Sequence, residues 1–201
     1  SGILLIQILT NIYTLYRLLL FVFLLFFSSS CRVYDKELDN PNDNKANEEL
    51  GVFPPSVVLF PKEQTKTLSD TISLGAYIVF SDTSTLSFSG THLNIEFDDS
   101  MLEIDSLAPG WVGPGSITDS NSTTPLFTYT IGQGILDIYA FYLSTNDISV
   151  DSLTHIAEIY FRPLSTGEST VQYDTSQCEI IKYDESIIPI NGYREALITV
   201  Q

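Results

Sequence analysis

Short hydrophobic runs separated by turn residues fill the chain from residue 56 to residue 200. The run Leu93-Asn94-Ile95-Glu96-Phe97 alternates apolar and polar side chains, which predicts a strand with one buried and one solvated face. A second run, Leu102 to Gly110, follows the turn sequence Asp98-Asp99-Ser100. Because Asp and Ser side chains bond nearby backbone in turns, the two runs predict a β-hairpin or a corner.

About ten such runs are predicted strands, and none of them shows a sustained period of 3.6 residues. β-branched and aromatic residues dominate the runs, and regular short strands with turn signals between them are typical of a sandwich or barrel. The predicted strands are Ser56 to Pro61, Thr71 to Phe80, Leu93 to Phe97, Leu102 to Gly110, Leu126 to Ile131, Ile135 to Tyr142, Leu153 to Phe161, Ser169 to Tyr173, Cys178 to Tyr183 and Ala196 to Val200. We therefore predict one all-β domain over residues 53–201.

The N-terminal segment is apolar almost throughout from Ile3 to Phe27, with Arg17 directly before its densest part. A positive charge, an apolar run of about ten residues and then small residues are typical of a secretory signal. The following Ser28-Ser29-Ser30-Cys31 resembles the lipobox of bacterial lipoproteins. This predicts an export segment over residues 1–30, lipidation at Cys31, and a membrane-anchored lipoprotein at the cell surface or in the periplasm. The alternatives are an uncleaved signal helix and soluble secretion, and both also place the rest of the chain outside the cytoplasm.

Residues 31–52 are rich in Asp, Asn, Glu and Lys and poor in apolar side chains. Such a composition buries too little apolar surface to offset the entropy of ordering, so we predict a flexible acidic tether. The whole chain has a net charge of -16 with only nine Lys and Arg. This charge excludes a protein whose affinity comes from neutralising nucleic-acid phosphates.

The two cysteines are Cys31 and Cys178. A lipidated Cys31 leaves Cys178 without a disulfide partner, so a structural disulfide is not expected. Cys178 begins an apolar run and has no nearby histidine to activate it. We interpret it as a small buried hydrophobic residue rather than a nucleophile.

A set of sequence blocks follows one another between residues 95 and 200. They are Ile95 to Ile104, Pro109-Gly110, Gly134 to Ile138, Ser152 to Phe161, Leu164 to Gly167, Asn191-Gly192 and Leu197 to Val200. In order and spacing this set resembles the cohesin family. The resemblance implies a nine-stranded jelly-roll β-sandwich of cohesin or carbohydrate-binding-module type and a binding role rather than catalysis.

Cohesins hold the dockerin modules of secreted enzymes, mainly through the sheet that contains their third, fifth, sixth and eighth strands. In type I members the third strand carries an outward Asn and Asp, and the resemblance places those positions at Gly90 and His92. The usual recognition pair is absent from this chain. The resemblance therefore implies the fold more directly than the partner.

Alternation along two predicted strands defines a candidate binding surface. Its residues are His92, Asn94 and Glu96 on one strand, Asp137, Tyr139 and Phe141 on a neighbouring strand, and Tyr129 beside them. Such a surface suits a helical protein partner or a sugar ring that lies on an aromatic side chain. The alternative is that Tyr139 and Phe141 belong to the core and only the polar residues are exposed.

The remaining chemistry of the sequence is limited. Asp98, Asp99, Glu103 and Asp105 lack a regular calcium-ligand spacing and are interpreted as solvated turn carboxylates. No histidine pair supports zinc, and no carboxylate pair stands out as a glycosidase pair. We therefore expect no catalytic residues, metal or cofactor. The predicted function is a non-catalytic module that holds a dockerin-like or other protein partner; direct polysaccharide binding is the alternative, and a glycan-cleaving enzyme is the least favoured.

Overall fold

The computed structural model describes residues 40–41, 43–80, 86–110, 125–143, 145–150 and 153–201. The predicted export segment 1–30, the predicted lipidation site Cys31 and the first part of the predicted tether lie outside these residues. Within the described ranges, no helix has the length and apolar character needed to cross a membrane.

The described part of the chain contains one short helix and fifteen strands. The helix is α1 (Asn44–Glu49), and the strands are β1 (Ser56–Phe60), β2 (Glu63–Lys66), β3 (Ile72–Val79), β4 (Leu86–Phe88), β5 (Gly90–Glu96), β6 (Leu102–Pro109), β7 (Leu126–Ile131), β8 (Ile135–Phe141), β9 (Ile148–Val150), β10 (Leu153–Pro163), β11 (Gly167–Tyr173), β12 (Glu179–Ile181), β13 (Ile187–Ile188), β14 (Gly192–Arg194) and β15 (Ala196–Val200).

The strands form two large sheets and a small two-stranded ribbon of β4 and β9. One sheet has five strands in the order β14-β1-β3-β10-β6. The other has eight strands: β5 pairs with β8 on one side, β8 pairs with β7, and the other side of β5 is shared by β11 and β12. β15 and then β2 follow β11, and β13 follows β12.

One hydrophobic core lies between the two large sheets, because inward side chains from both belong to the same buried cluster. Phe161 of β10 and Phe97, at the end of β5, meet edge to face with ring centroids 5.5 Å apart. Phe161, Leu59 and Leu93 are completely buried. This arrangement confirms the all-β sandwich that the sequence predicts.

The segment from Leu93 to Gly110 forms a corner and not a hairpin. β5 belongs to the eight-stranded sheet, whereas β6 pairs with β10 in the five-stranded sheet. Between them the backbone N–H groups of Met101 and Leu102 donate to the carbonyl oxygen of Asp98, at 3.1 and 2.9 Å. The chain therefore crosses from one layer of the sandwich to the other at this turn.

Each of the ten predicted strands overlaps an observed strand, although β5, β10 and β11 extend beyond the predicted bounds. The strands that sequence patterning missed are short, and they are β2, β4, β9, β13 and β14. β2 has the sequence Glu-Gln-Thr-Lys and no apolar side chain, yet it pairs in parallel with β15. Its order comes from backbone hydrogen bonds at the edge of the sheet, which hydrophobic periodicity does not report.

The C-terminal part of the predicted tether differs from the prediction. Residues 44–49 form helix α1, whose first turn is capped by the Asp43 carboxylate accepting from the N–H of Ala46 at 3.0 Å. The Asn47 side chain is buried and accepts a 2.7 Å hydrogen bond from the buried Arg194 guanidinium of β14. This part of the segment is held by buried polar pairing, which the composition of the segment does not show.

Candidate functional site

The outer face of the eight-stranded sheet is organised in rows that cross the strands. Residues directly opposite each other on antiparallel strands point to the same face, so the pairing register assigns the rows. The apolar row contains Leu126, Phe141, Gly90, Ile181 and Ile187; the central row contains Thr128, Tyr139, His92 and Glu179; the polar row contains Thr130, Asp137 and Asn94.

Burial along β5 and β8 agrees with this assignment. Leu93, Ile95, Leu136 and Ile138 are fully buried, while the alternate residues His92, Asp137, Tyr139 and Phe141 retain partial exposure. The predicted phase of both strands is therefore confirmed. The alternative that Tyr139 and Phe141 belong to the core is wrong.

Asp137 is the centre of a hydrogen-bond network on this face. Its Oδ1 lies 2.8 Å from Nε2 of His92 and accepts from Nδ2 of Asn94 at 2.7 Å. Its Oδ2 accepts a longer hydrogen bond, 3.4 Å, from the Thr130 hydroxyl. Partial burial raises the pKa of the Asp137 carboxyl, but the hydrogen bonds from His92 and Asn94 and the charge of His92 outweigh it and lower the pKa below its ordinary value.

Aromatic rings cover the neighbouring part of the face. The His92 imidazole stacks on the Tyr139 ring with centroids 4.3 Å apart and planes 9° apart. The ring of Phe141 follows at 6.3 Å from that of Tyr139. It lies directly over Gly90, since a Cβ on Gly90 would be 2.2 Å from Cδ1 of Phe141. Glycine at this position is what allows the ring to lie against the sheet.

Glu96 lies at the far end of β5 from Gly90. Its carboxylate accepts a 2.9 Å hydrogen bond from the Gln172 side chain of β11. These two residues are directly paired across the strands. Six of the seven predicted surface residues, namely His92, Asn94, Glu96, Asp137, Tyr139 and Phe141, thus point to one outer face, but Asn94 is buried there, with only 8% of its surface exposed.

Tyr129 is placed on the other face of the sheet, which corrects its assignment to this surface. It is paired with the buried Ile138, whereas its neighbours Thr128 and Thr130 are paired with Tyr139 and Asp137. Tyr129 is still 41% exposed because β7 is the last strand at this edge. Its exposure therefore reflects the edge of the sheet and not membership of the outer face.

Several residues of the face were missed by sequence reasoning. Leu126, Thr128 and Thr130 follow from the alternation of β7 once its phase is reversed. Ile181 and Ile187 have no local signal, because they join the face only through the pairing of β12 with β5 and of β13 with β12.

Cys178 supports the sheet at Asn94, where β11 and β12 diverge. Its Sγ is 3.4 Å from the Asn94 backbone nitrogen and 3.5 Å from the Asn94 carbonyl oxygen. Burial raises the pKa of the Cys178 thiol to about 11, with a smaller opposing effect from the Asn94 N–H. The interpretation of Cys178 as a buried hydrophobic residue is confirmed.

We expect native Cys178 to react at least about tenfold more slowly with a thiol-specific reagent at pH 8 than the unfolded chain does, because the thiolate is the reactive form. The measurement is the labelling rate in a Cys31→Ser background, with and without urea. The pKa of the Cys178 thiol is higher in the folded protein than in the unfolded chain. The free energy of unfolding should therefore fall as the pH rises above about 8.5, the pKa of a free thiol. Equal labelling rates in the native and unfolded states would contradict the burial.

Asp98 has the predicted role of a turn carboxylate. Its Oδ1 accepts from the backbone N–H of Ser100 at 2.9 Å and from the Ser100 hydroxyl at 2.6 Å. These hydrogen bonds from Ser100 lower the pKa of the Asp98 carboxyl.

In the described ranges, no three His, Cys, Asp or Glu side chains are arranged to hold a metal ion.

Solved structures of cohesin modules share this fold. The third cohesin of ScaC from Acetivibrio cellulolyticus, in complex with the ScaB dockerin, is 14% identical over 72% of this chain and 97% of its own, with a TM-score of 0.56. A type I cohesin–dockerin complex from Clostridium thermocellum contains a chain 11% identical over 73% of this chain and 99% of its own, with a TM-score of 0.55. The seventh ScaB type I cohesin from Pseudobacteroides cellulosolvens is 13% identical over 73% of this chain and 91% of its own, with a TM-score of 0.53.

No protein-family model matches the chain, and no curated protein matches it. The structural similarity shows the fold, and at identities of 11 to 14% it does not show which partner the chain binds. The chain thus has the cohesin fold, with its own set of side chains on the outer face of the eight-stranded sheet.

Proposed function

We propose that this chain is a non-catalytic protein-binding module and that the outer face of its eight-stranded sheet holds a dockerin-like partner. The observation that carries the proposal is the network of His92, Asp137, Asn94 and Tyr139 on an open sheet face of a cohesin fold. Cohesins of known structure form complexes with dockerins. The network fixes several polar and aromatic groups in advance, which reduces the entropy lost on binding.

The same network favours a protein partner over a polysaccharide. A sugar ring packs on the open face of an aromatic side chain, but His92 already covers one face of Tyr139 at 4.3 Å. A tyrosine held among hydrogen-bonding side chains is instead typical of protein interfaces, where Tyr is enriched. Direct polysaccharide binding is the second candidate, and the aromatic sequence Tyr139 to Phe141 is the feature that favours it.

The location proposed for this module is the outside of the cell. The apolar segment up to Phe27 and the following Cys31 support export and attachment to a membrane through a lipid or a signal helix. A module anchored in this way would hold a secreted enzyme close to the cell in a polysaccharide-related system.

Binding of the purified chain to a panel of dockerin modules, beside a glycan array, tests the proposal. We expect Tyr139→Ala to weaken dockerin binding by at least about tenfold, as truncation of a central interface tyrosine typically does. Tyr160→Ala is the matched control, since Tyr160 is a partly buried tyrosine in β10 of the opposite sheet. Thermal unfolding of both variants shows whether the fold is retained.

Two results would contradict the proposal. One is dockerin binding that Tyr139→Ala and Tyr160→Ala weaken equally. The other is binding of a glycan that is lost in Tyr139→Ala while no dockerin binds, which would make polysaccharide the ligand of this face.

A further inference from the structure

The strand β7 forms one edge of the eight-stranded sheet. In the described part of the chain, β8 is the only strand that pairs with β7, so the other side of β7 is an open edge. We propose that this edge pairs with β7 of a second copy of the chain, antiparallel and around a two-fold axis. The inference goes beyond the proposed function, because self-association does not depend on which partner the outer face binds.

The other edge strands of the two large sheets carry features that prevent such pairing. Charged residues, Pro, bulges and short length are the usual ones. β13 and β14 have only two and three residues, and β2 contains Lys66. β6 contains Asp105 and Pro109, and its pairing with β10 has a register shift. β7, with the sequence Leu-Phe-Thr-Tyr-Thr-Ile, contains neither charge nor Pro, and its pairing with β8 has no register shift.

The backbone groups of β7 alternate between β8 and the open edge. The Gly132 N–H donates to the Ile135 carbonyl oxygen at 2.8 Å, so this pair belongs to the ladder between the two strands. Every second pair of an antiparallel ladder is hydrogen-bonded, which assigns the even-numbered residues of β7 to the ladder with β8. The N–H and C=O groups of the odd-numbered residues, Phe127, Tyr129 and Ile131, therefore point to the open edge.

The side chains of the same three residues leave apolar surface at this edge. They point to the inner face of the sheet, since they are paired with buried residues of β8. Tyr129 is nevertheless 41% exposed and Ile131 51% exposed. The ring of Phe127, 6.3 Å from that of Tyr129, is only partly buried. A further strand beside β7 would extend the backbone ladder and cover this apolar surface.

The sequence of β7 is complementary to its own antiparallel copy. With the two-fold axis at Tyr129, this residue lies opposite Tyr129 of the second copy, and Phe127 lies opposite Ile131. Each of these pairs exchanges both of its backbone hydrogen bonds. On the outer face Thr128 lies opposite Thr130. Aromatic, aromatic–β-branched and Thr–Thr pairs are favourable cross-strand combinations, and a two-fold interface requires such self-complementarity.

Charge also favours β7 as the place where two copies meet. The chain has a net charge of -16, so two copies repel each other wherever their acidic surfaces approach. β7 has no charged side chain, and its pairing with itself places no like charges opposite each other. A cationic partner, in contrast, would find no carboxylate on this strand.

The dimer would place two outer faces on one surface. A two-fold axis between antiparallel strands of one sheet is perpendicular to the sheet, so the outer faces of both copies point the same way. The two eight-stranded sheets become one continuous sheet with two partner sites side by side. A partner with two binding modules then gains affinity through effective concentration. A single pair of strands is a small interface, so the dimer should form in a concentration-dependent way.

Sedimentation equilibrium of the full chain tests the dimer, in a mild detergent that accommodates the apolar segment from Ile3 to Phe27. We expect a monomer–dimer equilibrium whose dissociation constant is raised at least about tenfold more by Tyr129→Pro than by Tyr129→Thr. Both variants remove the ring, but only proline removes the N–H at the centre of the new ladder. Proline is tolerated on an edge strand where the N–H faces solvent, so the monomer should keep its fold.

Amide hydrogen exchange of the parent chain gives a second measurement that needs no variant. We expect the N–H groups of Phe127, Tyr129 and Ile131 to exchange about tenfold more slowly at a concentration where the dimer predominates than in a dilute sample. The N–H groups of Thr128 and Thr130 belong to the ladder with β8 and should exchange slowly in both samples.

Equal effects of the two Tyr129 variants would overturn the proposal, and so would a chain that stays monomeric at all concentrations. Slow exchange of the three odd-numbered residues that does not depend on concentration would show that the edge is covered within one chain, which also overturns it. If thermal unfolding shows that Tyr129→Pro has lost the fold, the exchange pattern of the parent decides. Tyr139→Ala, the variant that tests dockerin binding, should leave self-association unchanged, so the two proposals fail separately.

Discussion

Replacing Phe161 by Ala is expected to lower the free energy of unfolding by about 3–5 kcal/mol, the usual cost of truncating a fully buried phenylalanine. Phe161 is completely buried in β10, an interior strand of the five-stranded sheet that pairs with both β3 and β6. Its ring meets that of Phe97 from the end of β5, so it joins the two sheets. The truncation leaves a cavity between the layers that the paired strands on both sides cannot easily close.

The adjacent Arg162→Ala is the control for this prediction. Arg162 points away from the core and forms an exposed ion pair with Glu103, with side-chain exposures of 61% and 51%. Exposed ion pairs contribute less than about 1 kcal/mol, so this variant should remain close to the parent. Urea denaturation of the two variants gives the comparison, and equal losses of stability would show that β10 does not direct Phe161 into the core.

The fold was predictable from sequence because its long strands have strong local signals. The alternation of Leu93, Ile95 and Phe97 fixed the inward face of β5, and the turn after it fixed the end of the strand. What local patterning left open was whether β5 and β6 pair with each other. The answer depends on later strands: β8 pairs with one edge of β5, β11 and β12 pair with its other edge, and β10 pairs with β6.

The candidate site was predictable where one face of a strand is buried. The phase of β8 follows from Leu136, Ile138 and Ala140, which are all in the core. β7 is an edge strand in which most side chains are exposed, so burial gives a weak signal and Tyr129 was assigned to the wrong face. Ile181 and Ile187 were not predictable, since only the pairing of distant strands brings them to the apolar row.

The helix at the end of the predicted tether shows a second limit of prediction, namely that amino-acid composition alone does not predict which polar segments are ordered. The polar composition of residues 44–49 predicts a flexible segment, because their helix has few apolar side chains to bury. It is held by Asn47, which accepts from Arg194 and donates from Nδ2 to the Pro41 carbonyl oxygen at 3.0 Å. A buried arginine next to a buried asparagine is a favourable pair only in the folded geometry, so the sequence alone does not reveal it.

Gly110→Ala is expected to cost at least about 3 kcal/mol, at the upper end of the usual range for overpacking, because the clash is with backbone. A Cβ at Gly110 would be 1.7 Å from the carbonyl oxygen of His155, a contact that no side-chain rotation relieves. The Gly110 N–H also donates to the Ile156 carbonyl oxygen at 2.9 Å, which holds the end of β6 against β10. Relief of the clash requires the loss of this hydrogen bond, and urea denaturation measures the cost.

Gly132→Ala separates this clash from the general effect of replacing a glycine. The nearest atoms to a Cβ at Gly132 belong to Ile135 at 3.8 Å, an ordinary contact, so the change in stability should stay within about 1 kcal/mol.

The clash at Gly110 lies at the β-bulge of β10 between His155 and Ala157. His155 stacks on Tyr77 at 4.4 Å there, so Gly110→Ala should also shift the Tyr77 ring resonances in an NMR spectrum. Parent-like stability with unshifted Tyr77 resonances would show that β6 and β10 are not in close backbone contact at this bulge.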